Sequence, residues 1–211
     1  MSQALTLSSL PLFPLGTVLF PDGLLPLRIF EVRYLDMISR CHKAGAPFGV
    51  VSLLQGSEVQ KAGASPETFN AVGTLALISS FDAPQPGLLS IQCTGAQRFR
   101  ITSREQMRHG LWVADVERMD MDMAVPVPPD LKGTADALEK VIHSLQLRAG
   151  PADRLPLQEP FRLDDCGWVA NRWCELLPLP LELKQRLMEL DNPLVRLELV
   201  SDVLARTGIA G

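Results

Sequence analysis

Four arginines at even-numbered positions in the middle of the chain could bind an anion. They are Arg98, Arg100, Arg104 and Arg108. Residues of one parity share a face of a regular strand, so the spacing indicates a cationic stripe for phosphate or RNA. The alternative is the solvated face of an antiparallel strand, balanced by nearby carboxylates. We favour this alternative because no aromatic side chains accompany the stripe to stack bases.

The histidines and cysteines have no spacing typical of catalysis or metal binding. His42, His109 and His143 form no HExxH pattern, and the four cysteines form no CxxC pattern. Cys41 and His42 are adjacent, so on a helix their side chains diverge by about 100° and form no nucleophile–base pair. We therefore predict no catalytic residues, no metal site, no cofactor and no enzymatic activity. A pocket holding a strongly shifted titratable group would revive an enzymatic alternative.

The paired carboxylates are predicted to have structural or solvated roles. Asp164 and Asp165 precede an apolar periodic segment and suit the N-terminus of a helix. Asp120 and Asp122 lie in a proline-rich stretch, where we expect solvated charge. The sequence indicates no apolar pocket around any of these four carboxylates that would raise its pKa.

Composition excludes several classes of protein. The net charge is −4: residues 1–119 carry 10 Lys and Arg against 9 Asp and Glu, and residues 120–211 carry 10 against 15. Neither part has the basic excess of a non-specific nucleic-acid binder, so we do not expect a nucleic-acid partner. No apolar run reaches about 18 residues and the N-terminus lacks a signal-peptide pattern, so we expect no membrane span. Four scattered cysteines fit reduced thiols in a cytoplasmic protein.

The first 119 residues are predicted to form mainly strands. Proline-interrupted apolar segments before residue 30 are typical of edge strands or strand ends. Period-two alternation over 88–94, 98–107 and 111–119 predicts antiparallel strands of a barrel or sandwich, with turns at 95–97 and 109–110. One amphipathic helix is predicted from Ile29 to about Lys43, with Phe30 on its apolar stripe and Gly45 as its C-terminal stop.

The remainder is predicted to be helical. Residues 120–129 are an acidic, proline-rich linker, and four amphipathic helices follow at about 131–148, 163–177, 181–190 and 193–207. Asn192 before Pro193 suits an N-cap. The predicted organisation is thus a β-rich subdomain (1–119), a linker (120–129) and an α-helical subdomain (130–211).

Two apolar sets are candidates for contact with a peptide. Leu24, Leu25 and Leu27 form a short extended segment that could accept a peptide by strand addition, although we favour burial of these residues in the core. Trp168 and Trp173 lie on different sides of one predicted helix, so one could reach an interface while the other is core; a core role for both is the alternative.

Short segments along the chain form an ordered set. They are Leu10–Leu15, Val18–Pro21, Leu25–Glu31, Arg33–Tyr34, Phe48–Val51, Gly56 and Glu58, Val72–Thr74, Gly95–Ile101, Gly110–Leu111, Leu177–Pro180, Leu183–Gln185 and Arg196–Leu197. This set resembles the substrate-binding N-terminal domain of Lon protease. Each segment alone is weak evidence for the family, whereas their order over nearly the whole chain is specific to it. Asp22 departs from the pattern, since the family usually has Pro-Gly directly, and it lengthens a turn.

The resemblance implies an α+β fold: an N-terminal PUA-like β pseudo-barrel with one inserted helix, followed by a C-terminal helical bundle. It implies a non-catalytic domain that recognises client or partner proteins and peptides. The chain has no GxxxxGK[ST] phosphate loop, and it ends at Gly211 without a protease module, so we expect a stand-alone recognition domain. The barrel's similarity to RNA-binding PUA domains supports the anion-binding alternative. The oligomeric state stays open, with weak self-association among the options.

Overall fold

The computed structural model describes residues 6–56, 58, 67–150 and 155–207. Internal contacts divide the chain into an N-terminal unit, residues 1–121, and a C-terminal unit, residues 122–211. The N-terminal unit is mostly antiparallel sheet with one helix, and the C-terminal unit is helical. The predicted α+β class is confirmed.

The N-terminal unit contains seven strands and one helix among its described residues. Their order in the sheet is β1-β7-β6-β5-β3-β4, with β1 also paired in parallel with β3 and with β2 paired to β6. The elements are β1 (Thr6–Leu15), β2 (Leu24–Ile29), α1 (Val32–Ala44), β3 (Phe48–Gln55), β4 (Thr68–Phe69), β5 (Val72–Gln85), β6 (Leu88–Gln106) and β7 (Trp112–Arg118).

β1 carries two prolines, and the prediction of edge strands or strand ends holds locally, because each half of the strand has a ladder on one side only. β7 pairs with it from Thr6 to Leu12, and β3 pairs with it from Leu12 to Leu15. Pro11 therefore lies where only β7 is paired, and Pro14 lies where only β3 is paired. Each missing N–H can face the side without a ladder, which is where sheets tolerate proline.

The predicted turn at residues 95–97 is wrong, because β6 runs unbroken from Leu88 to Gln106. Glycine is required at position 95 for a close approach of two backbone segments. A Cβ there would lie 2.1 Å from the Phe20 carbonyl oxygen. The Gly95 N–H donates to Gly23 O and its carbonyl accepts from Asp22 N–H, both at 2.8 Å. Asp22, the residue at which this chain departs from the family pattern, has a φ of 60° and so adopts a left-handed turn conformation.

α1 begins three residues later than predicted. Ile29 is the buried last residue of β2, paired with Leu89 of β6, so the backbone is still extended there. Phe30 consequently lies outside the helix and is 56% exposed, not on the apolar stripe. The predicted C-terminal stop is confirmed, since Gly45 has a φ of 60° and its N–H donates to His42 O.

The C-terminal unit is built around one buried helix. Every residue of α3 from Cys166 to Cys174 is buried, and α3 contacts the other three helices. The predicted caps are confirmed: Asp165 Oδ1 accepts from Gly167 N–H at 2.8 Å, and Asn192 Oδ1 accepts from Leu194 N–H at 3.0 Å. The helices are α2 (Lys132–Arg148), α3 (Cys166–Leu176), α4 (Leu181–Glu189) and α5 (Pro193–Thr207).

The segment before α2 is held against the C-terminal unit, and the expectation that Asp122 is solvated is wrong. Its carboxylate pairs with both terminal nitrogens of Arg196, at 2.5 and 3.2 Å. Arg196 is 1% exposed and also donates to Asn171 Oδ1 and to Leu187 O. A buried guanidinium needs such complete pairing, so Asp122 serves as its counter-ion.

Candidate peptide-binding site

The predicted leucine segment is strand β2, which pairs along its whole length with β6. Its leucines, Leu24, Leu25 and Leu27, are half-buried, and the latter two pack against the main core of the unit. Pro26 and Arg28 between them are exposed. Over the described residues, no strand other than β6 pairs with β2. The segment therefore combines partial burial with an edge that carries no second ladder.

The two predicted tryptophan contacts lie in the interior of the C-terminal unit. Trp168 is 3% exposed and Trp173 is 2% exposed. The Trp173 Nε1–H donates to Thr134 O at 3.0 Å, and the Arg172 guanidinium lies over the Trp168 ring. Both side chains of α3 therefore belong to the core of the C-terminal unit.

The four arginines do not share one face. Arg98 is 3% exposed and donates to Asp120 O, whereas Arg100 is exposed. A register shift after Ile101 breaks the parity of β6, so Arg104 follows a bulge and lies over the rings of Phe69 and Trp112. Arg108 lies in the turn beyond the strand. Anion binding through these residues stays a prediction, without the common face on which it was based.

A feature that sequence reasoning missed is the turn between β2 and α1. Phe30 is 56% exposed and Val32 is 76% exposed, on either side of Glu31. Alternation along β2 could have indicated it, because Leu25, Leu27 and Ile29 share one parity and Phe30 has the other. Two large apolar side chains are thus presented to solvent at one short turn.

Two cavities open on either side of this turn, both within the N-terminal unit. The cavity beside β2, which we call the β2 pocket, has a volume of about 260 Å³. Its apolar lining comes from β1, β2 and α1. The lining residues are Phe13, Leu15, Pro26, Leu27, Arg28, Ile29, Phe30, Glu31, Tyr34 and Glu58.

The second cavity, which we call the α1 pocket, has a volume of about 430 Å³ and a lining in which apolar surface predominates over polar surface. It includes Val32, the guanidinium-bearing residues Arg33 and Arg40, and His109 of the turn between β6 and β7. Ser9, which has a φ of 55° beside the bulge of β1, also lines it. The other lining residues are Pro11, Asp36, Met37, Cys41 and Leu111.

One face of β1 forms the floor of both pockets. Pro11 lines the α1 pocket, and Phe13 and Leu15 line the β2 pocket. These residues have one parity and so project to the same side of the strand. Tyr34 of α1 stacks on Phe13 with ring centroids 4.0 Å apart, which places the first turn of the helix between the pockets.

A buried polar cluster holds that first turn in place. Arg33 donates to Glu67 Oε1 at 3.0 Å and to Gly110 O at 2.9 Å, and its Nε lies 3.3 Å from the Glu31 carboxylate. The Trp112 Nε1–H donates to the second oxygen of Glu67 at 3.2 Å. Burial alone would raise the pKa of Glu67, but hydrogen bonds from Trp112 and Arg33 lower it below its ordinary value. The cluster therefore joins α1 to Glu67, which immediately precedes β4, to β7 and to the turn before β7.

Two titratable groups that line these pockets have raised pKa values. Burial raises the pKa of Tyr34 above its ordinary range; the Arg33 charge opposes this shift, and neighbouring carboxylates add to it. Burial also raises the pKa of the Cys41 thiol in the α1 pocket, which disfavours a reactive thiolate. Within the described part of the chain, no cluster of three His, Cys, Asp or Glu side chains could hold a metal ion. Likewise, none of the described helices has the length and apolar character needed to cross a membrane.

The fold is of the α+β class, and comparison with known proteins identifies the family. The family model of the ATP-dependent protease La (Lon) substrate-binding domain matches residues 9–206. The chain belongs to this family.

Two solved structures are similar to the chain. A Lon N-terminal domain protein from Xanthomonas campestris is 32% identical, with a TM-score of 0.72, covering 93% of this chain and 98% of that one. The N-terminal domain of a Lon protease from the Mycobacterium avium complex has a TM-score of 0.58 at 18% identity, covering 92% of this chain and 96% of that one. The second likeness shows the fold alone. No curated protein matches the sequence.

Proposed function

We propose that this domain recognises proteins without chemistry, by binding apolar segments of client or partner chains at the surface formed by β2, the Phe30–Val32 turn and the two pockets. The observation that carries the proposal is the exposure of Phe30 and Val32 between two cavities. Membership of a substrate-binding family supports a recognition role. Soluble domains seldom leave adjacent large apolar side chains exposed beside apolar cavities unless they bind something there.

The proposed architecture is the PUA-like pseudo-barrel followed by a helical bundle. The pairing of β1 with both β7 and β3 supports the barrel, since the path of hydrogen-bonded strands returns to its start. The contacts of α3 with α2, α4 and α5 support the bundle. The division at residues 119 and 130, the cytoplasmic location and the absence of a nucleic-acid partner stay predictions.

Binding of one short peptide by this surface is expected to be weak. Ordering a flexible segment costs conformational entropy, which opposes association. A short peptide that fills these pockets also buries less surface area than a standard protein interface does. Such a surface suits clients that expose apolar segments after unfolding. Repeated weak contacts would then select unfolded chains over folded ones.

The experiment is a peptide-array screen with the full chain, followed by fluorescence anisotropy on the peptides retained. Apolar peptides should be enriched, and the double variant Phe30→Ser/Val32→Ser should weaken binding about tenfold or more, because it removes two exposed apolar contacts. The matched control is Leu54→Ser, since Leu54 is 61% exposed on β3 and lines neither pocket. The proposal is wrong if no apolar peptide binds, or if Leu54→Ser weakens binding equally.

A further inference from the structure

The free edge of β2 offers backbone groups to a partner. β2 pairs with β6 from Leu24 opposite Thr94 to Ile29 opposite Leu89, and its other side has no paired strand among the described residues. In an antiparallel pair, alternate residues direct N–H and C=O groups away from the partner strand. Pro26 of β2 has no N–H and can offer only its carbonyl, so the other residues of the strand must supply the donors. An extended chain can satisfy those groups by continuing the sheet.

The β2 pocket lies against this same strand. Five consecutive residues, Pro26–Phe30, line it, together with Phe13, Leu15 and Tyr34. A strand added beside β2 would direct alternate side chains to the pocket side of the sheet. A volume of about 260 Å³ is suited to one aliphatic or aromatic side chain.

The charged residues of the lining favour a basic neighbour. Glu31 is paired with Arg33, so Glu58 and Arg28 are the remaining charged residues of the lining. Glu58 is exposed, and its Oε1 accepts from Gly16 N–H at 2.6 Å. A lysine or arginine on the partner can therefore pair with the Glu58 carboxylate at the rim of the pocket.

We propose that the free edge of β2 binds an extended segment of a partner protein as an added strand, with an apolar side chain in the β2 pocket and an adjacent basic side chain facing Glu58. The inference rests on the proposed function and names its mode of binding and its substrate class. A helical or folded segment would not fit, because it cannot offer backbone groups to the sheet.

The test uses synthetic peptides of about eight residues, a common strand length. The peptides alternate valine and phenylalanine with threonine and carry one lysine. One set is N-methylated at odd positions and another at even positions, and binding to the full chain is measured by fluorescence anisotropy. Only one parity should lose affinity, by about tenfold or more, because only alternate amides of an added strand face β2. Equal affinity of both sets, or equal loss in both, overturns the proposal.

The charge is tested separately with the same peptides. Replacing the peptide lysine by glutamate should weaken binding about two- to fivefold, as expected for an exposed ion pair. Glu58→Gln keeps an oxygen that can accept from Gly16 N–H and should remove this preference. A preference for lysine that persists unchanged in Glu58→Gln contradicts the assignment of the basic residue to Glu58.

The outcomes separate this inference from the proposed function. A third set of peptides is N-methylated at every amide. If it binds as tightly as the unmethylated peptides, and Phe30→Ser/Val32→Ser weakens the binding of both sets, apolar recognition stands and strand addition is wrong. If none of the peptides binds and the array also retains no apolar peptide, both proposals are wrong.

Discussion

Phe13 of β1 and Tyr34 of α1 stack with ring centroids 4.0 Å apart and an angle of 23° between their planes. This contact packs the first turn of the helix on the strand that forms the floor of both pockets. Both side chains belong to the main core of the N-terminal unit. The residues that shape the candidate site are thus also residues that hold the unit together.

Replacing Phe13 by alanine should lower the free energy of unfolding by about 3–5 kcal/mol, because a buried ring is removed and a cavity remains. Phe30→Ala is the matched control, since it removes the same ring from an exposed position and should change stability by only ~0.5 kcal/mol. Chemical denaturation of the two variants measures both values. Similar losses would mean that Phe30 is packed in solution.

The Asp122–Arg196 pair should be essential for the C-terminal unit. Arg196→Met leaves the Asp122 carboxylate without its counter-ion and should destabilise the protein by about 3–5 kcal/mol. Arg186→Met is the control, because its pair with Glu182 is 74% exposed on both sides and should contribute at most ~0.5 kcal/mol. Thermal unfolding followed by circular dichroism compares the two variants. A small effect at Arg196 would contradict the assignment of Asp122 as its counter-ion.

The ionisation of Glu67 should make the free energy of unfolding depend on pH. Its pKa is lower in the folded protein than the ordinary value of 4.5, so its ionised form stabilises the fold above that value. The advantage of the native protein over Glu67→Gln should therefore be complete at about pH 7 and disappear as the pH falls through the lowered folded pKa. Unfolding free energies of both proteins across this range measure the difference.

Trp112→Phe is the companion variant for this prediction. It removes one donor to Glu67 and leaves Arg33 in place, so the pH-dependent part should shrink without vanishing. A difference between native protein and Glu67→Gln that stays constant with pH would show that the buried carboxylate contributes nothing through ionisation.

Gly95→Ala should destabilise the N-terminal unit by about 1–3 kcal/mol or more, because the new methyl group meets the Phe20 carbonyl oxygen at 2.1 Å and the backbone must shift. Gly133→Ala is the control. Apart from its chain neighbours and the backbone of its own helix, no described atom lies within 4 Å of a Cβ at that position, so alanine should be neutral or stabilise by up to ~1 kcal/mol. Melting temperatures of the two variants should move in opposite directions or differ clearly.

The helical half of the protein was largely predictable from its sequence. The predicted bounds of α5 agree with Pro193–Thr207, and those of α2 and α4 agree to within one residue. Helices form between residues close in sequence, and their caps, such as Asp165 and Asn192, act within one turn. Local patterns therefore carry the necessary information. The ordered family segments likewise predicted the α+β class.

Contacts between distant residues could not be obtained in this way. The unbroken course of β6 depends on the approach of Gly95 to Phe20, and the bulge after Ile101 separates Arg100 from Arg104. Asp122 looked like a solvated linker residue because its partner, Arg196, is 74 residues away. Alternation alone specifies neither a bulge nor a partner strand.

The amino-acid sequence by itself determined where the helices of the C-terminal unit form and to which family the chain belongs. Tertiary structure alone decided which apolar side chains remain exposed. Trp168 and Trp173 are buried by surrounding helices, whereas Phe30 is exposed because β2 ends one residue before it. Burial is a property of the packed molecule, since the free energy of hiding an apolar surface depends on whether another surface is there to cover it.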